Sequence, residues 1–229
     1  MKKMIALCLS TLFIMCAISG CGKTTATVSP TVTPTTAATV SPTTTPATDK
    51  ANYPVALTEA QLADFQTALA SQENYGFLLS SYSDVRDVDL MQVFYTGAGM
   101  QNPKDSDKII KAYAATYGED QSGIDNTILT TKQLDDFLSI KTAYKLADMK
   151  KPLSWRYVKE YDAYVHYHGD TNYVKISCTD GREISEGMFE VNYKIPDGMA
   201  DSDGNLRTGG TVTVKNTGDK MQFVSNVMH

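Results

Sequence analysis

The chain has 229 residues, 42% of them hydrophobic, with 26 acidic against 21 basic side chains and a formal charge of −5. This mildly acidic, well-mixed charge excludes a polybasic grip on nucleic acid or anionic lipid, both of which need clustered Lys and Arg. The apolar and aromatic content suffices for a folded core, which excludes a wholly disordered chain.

In chain order, Lys2 and Lys3 come first, followed by an apolar run over residues 4–18. A positive start, a short apolar stretch and small residues before a cut site form a secretory signal. The run is too short for a hydrocarbon core that needs about 20 residues, and Ser10 and Thr11 dilute it. Ile18-Ser19-Gly20-Cys21 resembles the lipobox of bacterial lipoproteins of the Gram-positive, clostridial kind. The resemblance implies that residues 1–20 are a signal peptide and that cleavage falls between Gly20 and Cys21. It also implies a diacylglycerol on the Cys21 sulfur, which makes the membrane a partner and places the chain on the outer, extracytoplasmic face. Two acyl chains anchor stably where one anchors only marginally. Gly22, not Asp, follows Cys21; in a two-membrane cell this does not favour retention at the inner membrane.

Residues 21–52 read as the lipidated cysteine and a linker. Residues 24–48 hold twelve threonines, no charge, and Pro30, Pro34, Pro42 and Pro46. Such a tract cannot bury enough apolar area to offset its ordering entropy. At about 3.1 Å per residue in an extended proline-rich form, some thirty residues reach up to ~90 Å. The tract therefore reads as a spacer, with a composition that suits O-glycosylation.

Residues 53–229 read as one globular domain. Thr58 and Gln61 form a capping box ahead of Leu62, Phe65 and Leu69, so the spacing predicts a helix over 59–72. Ser80 to Asp87 reads as loop, and Asp89 caps a brief helix through Met91 and Phe94. Ile109, Ile110, Tyr113 and Tyr117 mark another helix that Gly118 ends. Thr130 and Gln133 repeat the capping box ahead of Leu134, Phe137 and Leu138. In the aromatic segment 155–168, Tyr157, Tyr161, Tyr164 and His168 recur three or four apart, which predicts a helix.

After Gly169 the period becomes two. Four strands are predicted around Val174–Cys178, Phe189–Ile195, Thr211–Val214 and Met221–Val224, parted by turns at Asp180-Gly181, Asp197-Gly198, Asp203-Gly204-Asn205 and residues 216–219. The fold class is therefore α+β, with N-terminal helices packed on a C-terminal four-stranded antiparallel sheet. The domain also looks like the uncharacterised extracytoplasmic domains of clostridial-type lipoproteins. Its helix-then-sheet order is similar to the cone-shaped fold of nuclear transport factor 2, an analogy of fold that carries no function.

Tyr157, Tyr161 and Tyr164 are the candidate ligand-binding residues, either a stacking platform for cell-wall glycan or peptide or a lining of the core. His166, His168 and Asp170 resemble part of a metallo-β-lactamase metal motif, but Thr171 stands where a further His is needed. On a helix the two histidines would lie about 200° apart and could not share an ion, whereas on a strand they would share a face. Asp201, Asp203 and Asn205 alternate like calcium ligands, yet Leu206 and Val212 occupy the Gly and acid positions of an EF-hand. Gly97-Ala98-Gly99 starts a Gly-rich turn that Asn102 does not complete. Cys8 and Cys16 leave with the signal and Cys21 takes the lipid, so Cys178 is alone in the mature domain and reads as a small buried hydrophobe. No cofactor or metal is implied. The reading is a membrane-anchored surface or binding module whose partner is wall material or a membrane protein. The alternative is a wall-active hydrolase using Glu186 and Glu190.

Overall fold

The computed structural model describes residues 52–120, 124–167, 173–201, 204–217 and 220–229. The lipobox, the linker, His168 and Asp170 lie outside the described residues.

Two reciprocal caps set the helices. Thr58 caps α1 (Glu59–Leu69), with its hydroxyl accepting from the Gln61 N–H and the Gln61 side chain returning to the Thr58 N–H at 2.9 Å. Thr130 and Gln133 repeat the arrangement at the start of α4 (Thr131–Thr142). Each cap satisfies two amides that the first helical turn leaves without partners. Asp89 caps the short α2 (Leu90–Phe94) through the Met91 N–H, and a left-handed Gly118 ends α3 (Ser106–Tyr117). Helix α1 stops at Leu69, three residues before its predicted end.

The strands form two sheets. Five belong to the larger antiparallel sheet: β1 (Val55–Ala56), β5 (Ser177–Ser185), β6 (Met188–Ala200), β7 (Leu206–Thr217) and β8 (Lys220–Met228), side by side in that order. The predicted four strands become five because Val55 and Ala56 pair with Glu183 and Arg182 on the outer edge of β5. The first predicted strand is also displaced, since residues 173–176 precede β5. Asp180-Gly181 and Asp197-Gly198 are not turns. They lie inside β5 and β6, beside register shifts that absorb extra residues as bulges. The actual β5–β6 reversal is Glu186-Gly187, where Gly187 takes φ 69°.

Residues 155–167 do not form the predicted helix. They form β3 (Arg156–Val158) and β4 (Ala163–Tyr167), which with β2 (Asn126–Thr130) make a three-stranded sheet in the order β2-β4-β3. A tight turn over residues 159–161 followed by a left-handed Asp162 (φ 46°) reverses the chain. The three-to-four spacing of the tyrosines arises from the length of that turn. Asn102 closes the outer edge of β2: its Nδ2 donates to the Asn126 carbonyl, and its Oδ1 accepts from the Ile128 N–H, both at 2.9 Å.

Helices α1 and α4 pack on the larger sheet over a core that includes Phe65, Leu69, Phe77, Leu134 and Leu138 against Val191, Val212, Val214 and Phe223. Rings run through this core in sequence. Phe223 stacks on Phe77 at 4.1 Å between centroids, Phe77 meets Phe137, Phe137 meets Phe94, and Phe94 meets Trp155. Such pairs add about 0.5–1.5 kcal/mol each beyond area burial. A smaller cluster of Ile109, Tyr113, Ile128, Val158, Ala163 and Val165 holds α3 to the three-stranded sheet.

A buried polar knot fixes residues 78–82 to β8. The Tyr193 hydroxyl shares its one proton between the Leu78 carbonyl oxygen at 2.9 Å and Asn226 Oδ1 at 3.0 Å. Asn226 Nδ2 donates to the Ser80 carbonyl at 2.8 Å, while its backbone exchanges two hydrogen bonds with Tyr82.

Gly76 lies so close to α2 that an added Cβ would sit 2.7 Å from the Gln92 carbonyl oxygen and from Val93 Cα. Gly76→Ala is expected to destabilise the protein by about 1–3 kcal/mol, read as a lowered urea midpoint with an unchanged slope. Burial holds the Tyr82 and Tyr193 hydroxyls above the ordinary tyrosine range. The folded state therefore keeps these protons longer than the unfolded chain does. Their contribution is complete below pH about 10 and is lost as pH rises through the raised values. Urea midpoints measured across alkaline pH should fall more steeply in the parent than in Tyr193→Phe. At neutral pH that variant should lose about 1–3 kcal/mol.

Candidate functional site

The three predicted tyrosines do not share one face. Tyr157 on β3 and Tyr164 on β4 are direct cross-strand partners with ring centroids 4.9 Å apart. Tyr161 lies in the intervening turn and packs against the α3 cluster. The structure therefore assembles a pair, not a three-ring stripe along a helix.

The pair is held from several directions. The Tyr157 hydroxyl donates to Asp162 Oδ1 at 2.7 Å, and the Thr131 hydroxyl donates to the same oxygen at 2.6 Å. The Thr131 N–H donates to the Asp162 carbonyl at 2.9 Å, which ties the turn to the first residue of α4. The Tyr117 hydroxyl donates to the Tyr157 carbonyl at 2.9 Å, and the Arg156 guanidinium lies 5.2 Å from the Tyr117 ring centre. Tyr157 is 38% exposed, whereas Tyr164 is half-buried against the main core. The hydrogen bond to Asp162 raises the Tyr157 pKa, with lesser contributions from burial and the carboxylate's charge. Burial raises that of Tyr164, helped by Asp162 and Asp135.

Two fixed rings beside an exposed carboxylate suit a ligand with an apolar face and hydroxyl or amide edges. The rings stack on the face, and the carboxylate accepts from the edge. Asp162, Thr131 and Tyr117 were not singled out from the sequence. Asp tolerates the left-handed conformation at tight turns, and that preference was the available signal for Asp162.

The other predicted residues disperse. His166 stacks on Trp155 at 5.1 Å and lies 5.3 Å from the Tyr95 ring, so its ring continues the aromatic series of the core. Among the described residues, no group of three or more His, Cys, Asp and Glu side chains could hold a metal ion. Glu190 is bound to Arg182 across the β5–β6 hairpin at 2.6 Å, while Glu186 stands exposed at its turn, so the two do not form a free carboxylate pair. Cys178 is half-buried, not fully buried as expected, and burial pushes its thiol up to about 11. Ala98 packs into the core within a left-handed turn, with φ 75°, 48° and 78° at residues 97–99. Among the described residues, no helix is long and apolar enough to cross a membrane.

Comparison with protein-family models, curated proteins and solved structures gives no match.

Clefts also mark the surface of the described residues. One of about 300 Å³ lies between α1 and the β7–β8 hairpin, with Phe65 and Phe189 in its lining and Asp64 and Lys220 beside them. One of about 360 Å³ is lined by Val85, Tyr144 and Phe223, and a more enclosed one of about 260 Å³ by Ser80, Asp89 and Lys151.

Asp162→Asn removes the charged acceptor while keeping a residue that tolerates the left-handed turn. It should lower the Tyr157 pKa toward the ordinary tyrosine value. The check is an ultraviolet difference titration of the variant against its parent, with Tyr157→Phe identifying the signal.

Proposed function

We propose that this protein is a lipid-anchored extracytoplasmic lipoprotein whose folded domain is a binding module for wall glycan or peptide. The observation that carries the reading is the contiguous order of its N-terminal parts. Lys2 and Lys3, a short apolar run and Ile18-Ser19-Gly20-Cys21 lead directly into an uncharged Thr/Pro tract and then a folded domain. Each part has a physical purpose in that setting: export, lipid attachment, reach and recognition. The Tyr157–Tyr164 pair with Asp162 supports the recognition role, because it presents stacking and hydrogen-bonding groups together on rigid strands. The alternative, a hydrolase working through Glu186 and Glu190, receives less support, because Glu190 is engaged by Arg182.

Cys21→Ser should move the full chain from the detergent phase to the aqueous phase in a cloud-point partition and abolish labelling by a fatty-acid analogue. Retention of the label would overturn the anchor. Tyr157→Ala should weaken sedimentation with purified peptidoglycan by about tenfold, comparable to the loss of about 1.4 kcal/mol of stacking. Its melting temperature should fall by no more than a few degrees, the cost of the lost ring pair and hydrogen bond. Equal sedimentation of both proteins would remove the tyrosine pair from the reading.

A further inference from the structure

An enclosed cleft lies between residues 79–81, the start of α2, Lys151, and Ala200, Asp201 and Arg207 at the facing ends of β6 and β7. Its polar groups are already sorted by the backbone. The Ser80 hydroxyl oxygen accepts from the Asp89 N–H at 3.2 Å, and that of Ser81 accepts from the Met228 N–H at 3.0 Å. Each hydroxyl therefore retains its proton for donation. Asp89 uses Oδ1 on the Met91 N–H at 2.9 Å and keeps Oδ2. Arg207 and Asp201 neutralise one another at 2.6 Å. Among the described residues, neither Lys151 nor Asp89 has an ion-pair partner.

One ammonium, one carboxylate, two hydroxyl donors and the Gln92 side-chain amide thus remain around a space of about 260 Å³, with Leu79 and Met228 adding apolar wall. That volume falls below the range of about 300–1,000 Å³ that holds drug-sized ligands. The leftover charges call for a ligand carrying one of each sign.

We propose that this cleft binds a small zwitterion bearing free amino and carboxylate groups, of the free amino acid class. The ligand carboxylate lies on Lys151 and the serine hydroxyls. Its ammonium lies on Asp89, and its side chain rests against Leu79 and Met228. The site shares no residue with the tyrosine pair and stands whether or not that pair binds wall material.

The test is isothermal titration of the full chain, purified in detergent, against each of the common free L-amino acids and against the N-acetyl and methyl-ester forms of any that binds. At least one amino acid should bind, and both blocked forms should bind about tenfold more weakly or worse. Lys151→Gln should weaken binding by a similar factor. Asp89→Asn keeps a capping oxygen for α2 and should cancel the preference for the free amine over the acetylated form. Circular dichroism melts of both variants should match the parent's, and Tyr157→Ala should titrate as the parent does. An absence of binding across the panel overturns the proposal, as does an unchanged titration profile in either cleft variant.

Discussion

Asn226 is the point on which the arrangement depends. Wholly buried, it engages its backbone with Tyr82 and its side-chain amide with Leu78, Ser80 and Tyr193. A buried amide left without these partners would cost more than any one of the bonds contributes, so the surrounding groups are strongly specified. The knot fixes an otherwise irregular segment to β8, the edge strand of the larger sheet. It also covers part of the β8 edge, which would otherwise present unpaired amides to other chains. Tyr193 reaches it because β7 has glycine at position 210, where a Cβ would stand 2.5 Å from the Tyr193 hydroxyl. Ser80 and Ser81 owe their positions in the enclosed cleft to the same bonds.

The two sheets share no ladder and are joined through side chains. The ring series from Phe223 through Phe77, Phe137 and Phe94 ends at Trp155, on whose far side His166 of β4 stacks. This continuity turns the inner face of the small sheet toward the main core. Tyr164 follows it inward, while its partner Tyr157 remains at the rim. The half-buried, half-exposed character of the pair is thus set by the packing between sheets and not by the local sequence.

Local chemistry was legible in the sequence where it is completed within a few residues. Both capping boxes, the Asp89 cap and the Gly118 stop stand as the spacing predicts. The alternation from Phe189 to Ile195 reads directly as a strand with one buried face. Misreadings arose where two elements and a turn together imitate a single period. Residues 155–168 did so, because a four-residue reversal spaces Tyr157, Tyr161 and Tyr164 like helical neighbours. Asp180-Gly181 misled for the opposite reason: a turn dipeptide was accommodated as a bulge inside a long hairpin. The Asn226 knot gave no local signal, since its side-chain partners lie 33 to 148 positions away. The tyrosine pair was half legible. Its residues stood out by type, whereas Asp162 and Thr131 gained their roles only from the fold.

The small cluster under α3 has a different consequence. Among the described residues, six buried side chains and four partly buried ones hold that helix to the three-stranded sheet, apart from the main core. Units of this size open at lower free energy than the long central strands, so amide protons of α3 exchange with solvent ahead of those of β6 and β7. Tyr117 at the end of α3 is bonded to the Tyr157 carbonyl, and Arg156 lies over its ring. Detachment of the helix severs both contacts and frees the strand that carries the exposed tyrosine. The ordering of α3 and the rigidity of that surface are therefore one equilibrium.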